Sequence, residues 1–250
     1  MPPNLAVHVL RDSVGGVETR HLDLNADLGE EVTDDEALLA VVTSANVACG
    51  YHAGTPAIMR AVCEEAARLG VSVGAQVSYA DRENFGRVEL DVSAEVLCEQ
   101  VTDQVGTLSE IAVACGTVVR YVKPHGALYH RVVHDEEQAV AVLAGSGSLP
   151  VLGLPGGLLL ALAAGSGRQV LHEGFPDRAY AEDGRLVPRG EPGAVLTDAE
   201  TIAVRAVELA LQESPALHSL CVHGDTPGAV AHAQAVRRSL EAAGFGLRGL

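Results

Sequence analysis

Short apolar runs alternate with longer stretches in which apolar residues recur every three or four positions, and the alternation repeats seven times. The runs at 21–25, 44–48, 71–76, 118–123, 151–154, 169–173 and 220–223 predict strands. The periodic stretches at 34–42, 56–69, 93–115, 135–143, 158–164, 198–211 and 227–243 predict helices. Pro56 and Pro227 stand where a first-turn proline belongs, and Gly70, Gly116 and Gly244 stand where helices stop. Seven strand-then-helix units without a linker-like break predict one α/β domain over 20–250. Residues 1–19 read as a mobile N-terminal tail or a short extra strand. A (β/α)7-type barrel, closed or open, is the natural architecture at this length. A doubly wound open sheet is the alternative, but no G-x-G-x-x-G follows the first strand.

In parallel α/β folds, ligands bind beyond the carboxyl ends of the strands. Polar and ionisable residues recur at that end of six of the seven predicted strands. They are Asp23, Asn25, Asp27 and Glu30; then Asn46, Cys49 and His52; then Gln76, Ser78, Tyr79 and Asp81. Lys123 and His125, Glu173, Asp177 and Arg178, and His223 and Asp225 complete the set. Asp23 and Asn25 alternate with Leu22 and Leu24, so they should point into the barrel while the leucines face the helices. Asp225, just before Thr226-Pro227, also reads as a helix N-cap.

Composition sharpens one residue of this set. The chain has 250 residues, with 33 Asp and Glu against 17 Lys and Arg, a formal net charge of −16. That balance argues against nucleic acid or an anionic membrane as a partner. Among the basic residues Lys123 is the sole lysine. It ends an apolar strand ahead of Pro-His-Gly, a stiff turn that would fix its direction. An ammonium there could pair with Asp23 or Asp27, polarise a carbonyl, or stabilise a phosphoryl group in transfer. Five scattered cysteines without a C-x-x-C pair, no signal-peptide pattern and no uninterrupted apolar span predict a reduced, cytoplasmic protein.

The segments DLNADLGE, SANVACGYHAG, VKPHGALY, PDRAYAEDGRLVPR and CVHGDTPGAV resemble, in order and spacing, the LamB/YcsF family. The resemblance covers about residues 20–250. It implies a barrel related to the glycoside hydrolase/deacetylase superfamily. It also implies the activity of the A subunit of a bacterial ATP-dependent 5-oxoprolinase, which works with separate B and C subunits. That reaction converts 5-oxo-L-proline, with ATP and water, to L-glutamate, ADP and phosphate. Such chemistry needs cations for phosphate, a base for water and Mg²⁺ held by carboxylates. The resemblance thus assigns Lys123 and Arg178 to anionic oxygens, and Asp23, Asp27 and Asp177 to metal or base roles. His52, His125 and His223 become proton-transfer candidates, with Asn25, Asn46 and Asp225 beside a cofactor. A homo-oligomer is compatible with this reading.

The chain departs from the family pattern at three points. Gln76 replaces a histidine, Thr55 replaces an aspartate, and the loop after Glu30 is short. Two other readings therefore stand beside the first: a metal-dependent deacetylase-like hydrolase, and a catalytically reduced scaffold or regulatory paralogue. Gln76 weakens the former, because a neutral amide is a poor ligand for transition metals.

Overall fold

The computed structural model describes residues 13–14, 17–18, 20–32 and 34–250. Strands β1 (Ser13–Val14) and β2 (Val17–Glu18) pair antiparallel; the rest of the tail expectation, at 1–19, lies outside the described residues. Seven parallel strands follow: β3 (Arg20–Leu28), β4 (Ser44–Ala48), β5 (Ser72–Val77), β6 (Val119–Pro124), β7 (Val151–Gly153), β8 (Val170–Gly174) and β9 (Ser219–Cys221). Each pairs with the next, and β9 pairs back onto β3 through Ser219 with Asp23 and Cys221 with Asn25. The sheet is therefore a closed seven-stranded barrel, which excludes the open and doubly wound alternatives.

Helices α1 (Asp35–Leu39), α2 (Pro56–Leu69), α3 (Ala94–Ala114), α4 (Gly126–Arg131), α5 (Glu136–Gly145), α6 (Leu158–Gly165), α7 (Ala199–Ala210) and α8 (Ala229–Ala242) connect the strands. Asp34, Thr55, Ser93, Asp135 and Asp198 each accept a backbone N–H of the following first turn, so the N-termini fall where short polar side chains permit. Thr55 thus caps α2, a role in which threonine and aspartate are near equivalents. Pro227 and Asp225 behave differently from expectation. Gly228, in the left-handed region at φ +86°, precedes α8, leaving Pro227 in the turn before it and Asp225 without a capping bond.

Along β3, Leu22, Leu24, Ala26 and Leu28 join the apolar layer between barrel and helices, while the intervening polar residues line the interior. Tyr121 of β6 crosses that interior beside Gly74, where a Cβ would come within 2.2 Å of its ring. A short strand, β10 (Phe245–Leu247), pairs with the start of β3. Beyond it, Leu250 donates its N–H to Ser44 Oγ and accepts from Ser72 Oγ at the amino ends of the strands. Among the described residues no helix is long and apolar enough to cross a membrane.

Candidate active site

The inward residues of β3 lie at three depths, because alternate residues of a strand advance by about 6–7 Å. Asp23 is deepest. It accepts hydrogen bonds from Thr43 Oγ1 at 2.7 Å, from Ser44 Oγ at 2.6 Å and from Ser219 Oγ. Burial raises its pKa to about 6 despite those donors. One layer up, Asn25 donates to Ser219 Oγ at 2.6 Å and accepts from Asn46 Nδ2 at 2.7 Å. Tyr121 donates its hydroxyl to Asn46 Oδ1 at 2.7 Å, and Asn46 also donates to Asp27 at 2.8 Å. Asp23, Asn25 and Asn46 therefore build the hydrogen-bonded interior and do not reach the mouth.

Asp27 forms the third layer, where Lys123 meets it. The Lys123 ammonium lies 2.9 Å from Glu173 Oε2, 3.4 Å from Asp27 Oδ1, and 3.2 Å from Cys221 Sγ. Burial alone would strip its proton, but Asp27, Cys221 and Glu173 together hold its pKa well above the ordinary range. Burial likewise pushes the Asp27 carboxyl up, and its neighbours, the Lys123 ammonium foremost, more than offset this and hold it below the usual range. Lys123 is thus a fixed ammonium at the floor of a cavity. Asp23, the other partner expected from the sequence, sits too deep to share it.

Asp27, Lys123, Tyr129, Phe175, Leu186 and His223 line that cavity together with the buried Arg178, and the more exposed Arg87, Arg189 and His130 stand toward its rim. It encloses about 430 Å³, including the open mouth. His223 stacks on Phe175, at 5.4 Å between ring centroids, and Tyr129 stands edge-on to the same ring. Asp177 Oδ2 accepts both the backbone N–H and the Nδ1 of His223, at 3.0 and 2.9 Å. Burial opposes ionisation of Asp177, but His223 keeps its pKa lowered. A carboxylate can only accept, so His223 carries its proton on Nδ1, and Nε2 is left free to take one. A ring nitrogen of His223 lies within 4.8 Å of Asp27 and Cys221.

The other two histidines have a different place. His52 and His125 stack face to face at 4.0 Å. His52 Nδ1 bonds Ser78 at 2.9 Å, and His125 Nε2 donates to the carbonyl of Phe85 at 3.1 Å. Gln76 Nε2 donates to His125 Nδ1 at 2.9 Å and to Glu30 Oε1 at 3.0 Å. Burial and the neighbouring His52 push the His125 pKa well below the ordinary value, so it is neutral. His52 is wholly buried behind the cavity wall, and His125 touches the cavity while its ring nitrogens are engaged.

Arg178 also lines the cavity, yet it is chiefly a staple. Its Nε donates to the Ala194 carbonyl at 3.2 Å and its Nη2 to that of Val187 at 2.7 Å, holding the loop that supplies Leu186 and Arg189. Asp225 pairs with Arg87 and, at 3.4 Å, with Arg189. Sequence reasoning passed over Arg87, Arg189 and His130. Only Arg189 had a signal, as the last residue of the segment PDRAYAEDGRLVPR.

Residues 22–250 match the model of the LamB/YcsF family. The chain belongs to that family. It is 56% identical to the 5-oxoprolinase A subunit of Streptomyces avermitilis, over 89% of this chain and 97% of the relative. To a 5-oxoprolinase A subunit of Agrobacterium fabrum it is 49% identical, over 91% and 96%. Among solved structures, the lactam utilization protein from Thermus thermophilus aligns with a TM-score of 0.85 at 36% identity, covering 92% of this chain and 100% of that one. The catalytic domain of a peptidoglycan N-acetylglucosamine deacetylase from Eubacterium rectale aligns at 0.53 with 13% identity, over 96% and 91%, and shares the barrel fold alone.

Within this LamB/YcsF barrel, two trios of ligand-type atoms lie close together among the described residues: Asp27–Cys221–His223 and Glu30–His52–His125. Magnesium favours near-octahedral oxygen ligands, and each trio offers one carboxylate. In the first, the Lys123 ammonium already stands against Asp27 and Cys221. In the second, the Gln76 amide already donates to Glu30 and His125. Neither donor set fits Mg²⁺.

Proposed function

We propose that the chain is the A subunit of an ATP-dependent 5-oxoprolinase. It opens the lactam of 5-oxo-L-proline to L-glutamate, with ATP hydrolysed to ADP and phosphate, in an assembly with B and C subunits. The observation that carries the reading is the Lys123 ammonium, fixed at the floor of a small cavity opposite a histidine oriented by Asp177. Relatives at about half identity that bear the A-subunit name, and the lactam utilization protein of the same shape, support it.

The closed ring of 5-oxoproline is unreactive, so opening it is coupled to ATP. The amide oxygen takes the γ-phosphoryl group and ADP leaves. Water adds to the activated ring carbon and gives up its proton to His223 Nε2. The C–N bond then breaks, with a proton returned to nitrogen, and a second water releases phosphate from the resulting acyl phosphate. Lys123 lies where it can hold the charge that develops on oxygen. The apolar wall of Phe175, Tyr129 and Leu186 suits a five-membered ring. The deacetylase alternative needs a protein-held metal, which Gln76 disfavours.

The test mixes the chain with its candidate B and C subunits and follows glutamate formation from 5-oxoproline and ATP. Glutamate is expected from the wild type, with a loss of at least about 100-fold for Lys123→Met, the scale of one oriented charge at a reacting oxygen. An assembled complex that forms no glutamate overturns the proposal. A fully active Lys123→Met variant removes the role given to that residue.

A further inference from the structure

The rim of the cavity carries a charge pattern that lactam opening does not by itself require. A protein with 33 acidic and 17 basic residues brings Arg87, Lys123, Arg178 and Arg189 to the wall of one cavity. One carboxylate, Asp27, lines it with them, and that carboxylate is already committed to Lys123. Arg178 is committed to the carbonyls of Val187 and Ala194. Arg87 and Arg189 remain. Both turn to Asp225, whose Oδ2 takes the two guanidinium groups together from a place outside the cavity lining.

Both arginines are aimed by structure behind them. Arg87 lies over the Phe85 ring, 4.9 Å from its centroid. Phe85 sits in the left-handed region at φ +59°, a conformation that a phenylalanine keeps only when its surroundings impose it. Here the His125 ring holds the Phe85 carbonyl, and His52 and His125 meet the phenylalanine ring edge-on. The next residue, Gly86, has φ +67°, and a Cβ there would reach 2.9 Å from His52 Cβ. The buried histidine stack is thus the platform that directs Arg87. Arg189 comes from the loop that Arg178 staples, on a different side of the barrel.

We propose that Arg87 and Arg189 form a carboxylate subsite, and that Asp225 fills it as an internal counter-ion until a ligand carboxylate takes its place. The proposal rests on the lactam reading and deepens it: it names the residues that would select a five-membered cyclic amide by its carboxylate. The apolar ring would lie on Phe175 and Leu186, its carbonyl toward Lys123 and its carboxylate between the two arginines. Exchange of one carboxylate for another keeps both guanidinium groups paired, while the released Asp225 carboxylate must take up water in their place. An uncharged lactam has nothing to offer in that exchange.

The test is calorimetric titration of the full chain with three compounds. These are 5-oxo-L-proline, 2-pyrrolidinone (the same lactam without the carboxylate) and cyclopentanecarboxylate (a carboxylate on a ring without the amide). Arg189→Ala and Arg87→Ala should each weaken 5-oxoproline by about 10- to 100-fold, the scale of one charge-assisted hydrogen bond. Both should leave 2-pyrrolidinone within about threefold, because uncharged ligands do not use the pair. Asp225→Asn should tighten 5-oxoproline several-fold by removing the competing anion, and this variant serves even where an arginine variant fails to fold. Equal losses for both lactams, or unchanged 5-oxoproline affinity in all three variants, overturn the subsite. If neither lactam binds but cyclopentanecarboxylate binds in an arginine-dependent way, the subsite stands and the lactam reading falls. If no carboxylate binds the wild type, the subsite falls.

Discussion

Asp23 and Asp27 are four residues apart on one strand, face the same interior, and are held in opposite ways. Burial among hydroxyl donors raises the Asp23 pKa to about 6, whereas Lys123 holds Asp27 low. A carboxyl that keeps its proton more tightly folded than unfolded stabilises the fold fully below about pH 4. That contribution is lost as the pH rises through 6, a fall of about 3 kcal/mol. Asp23→Asn removes this slope. Urea unfolding of the two proteins at intervals from pH 4 to 7 should show the difference moving in favour of the variant by about that amount. Alternation with leucine announced that Asp23 points inward, but alternation carries no measure of depth. The sequence therefore grouped it with Asp27 as a partner for Lys123. Lys123 itself was legible because a lone lysine before Pro-His-Gly is conspicuous. Arg87 was not, and Arg189 was marked only by its segment, since their shared partner Asp225 lies 138 and 36 residues away.

The loop between β5 and α3 and the turn between β6 and α4 work as one piece. His125 donates its N–H to Val77, and Ala127 donates to Gly86, so the strand-end turn is bonded to the loop that carries Arg87. Gly126, at φ +60°, is the tightest point, with a built Cβ only 2.3 Å from the Gly86 carbonyl oxygen. Gly126→Ala should destabilise the protein by about 2–4 kcal/mol, combining left-handed strain with overpacking. It should also raise KM more than it lowers kcat, since Arg87 shifts while Lys123 stays. Thermal unfolding and steady-state kinetics on the reconstituted complex check both. The main helices and strands were readable because each has a period, and several helices begin with an explicit cap. The six-residue α4 and the three-residue β10 are too short to show a period; neighbours distant in sequence decide them. Asp225, read as a cap candidate before α8, is instead the arginine partner.

At the scale of the molecule, seven repeats of strand and helix made the barrel predictable, but not its closure. Closure depends on Ser219 and Cys221 pairing with Asp23 and Asn25 across about 200 residues, and that register has no local signature. The uneven distribution of charge has a consequence for the encounter between protein and ligand. A small anion must cross the field of a body carrying −16 before it meets the cavity cations. Near 0.01 M salt the Debye length, about 30 Å, is comparable to the molecule itself, and at 0.15 M it falls to about 8 Å. Stopped-flow association of 5-oxoproline should therefore speed up with modest added salt, while dissociation also quickens as the short-range pairing is screened. Affinity should consequently vary less with salt than either rate does, so the protein would trade residence time for traffic at nearly constant occupancy.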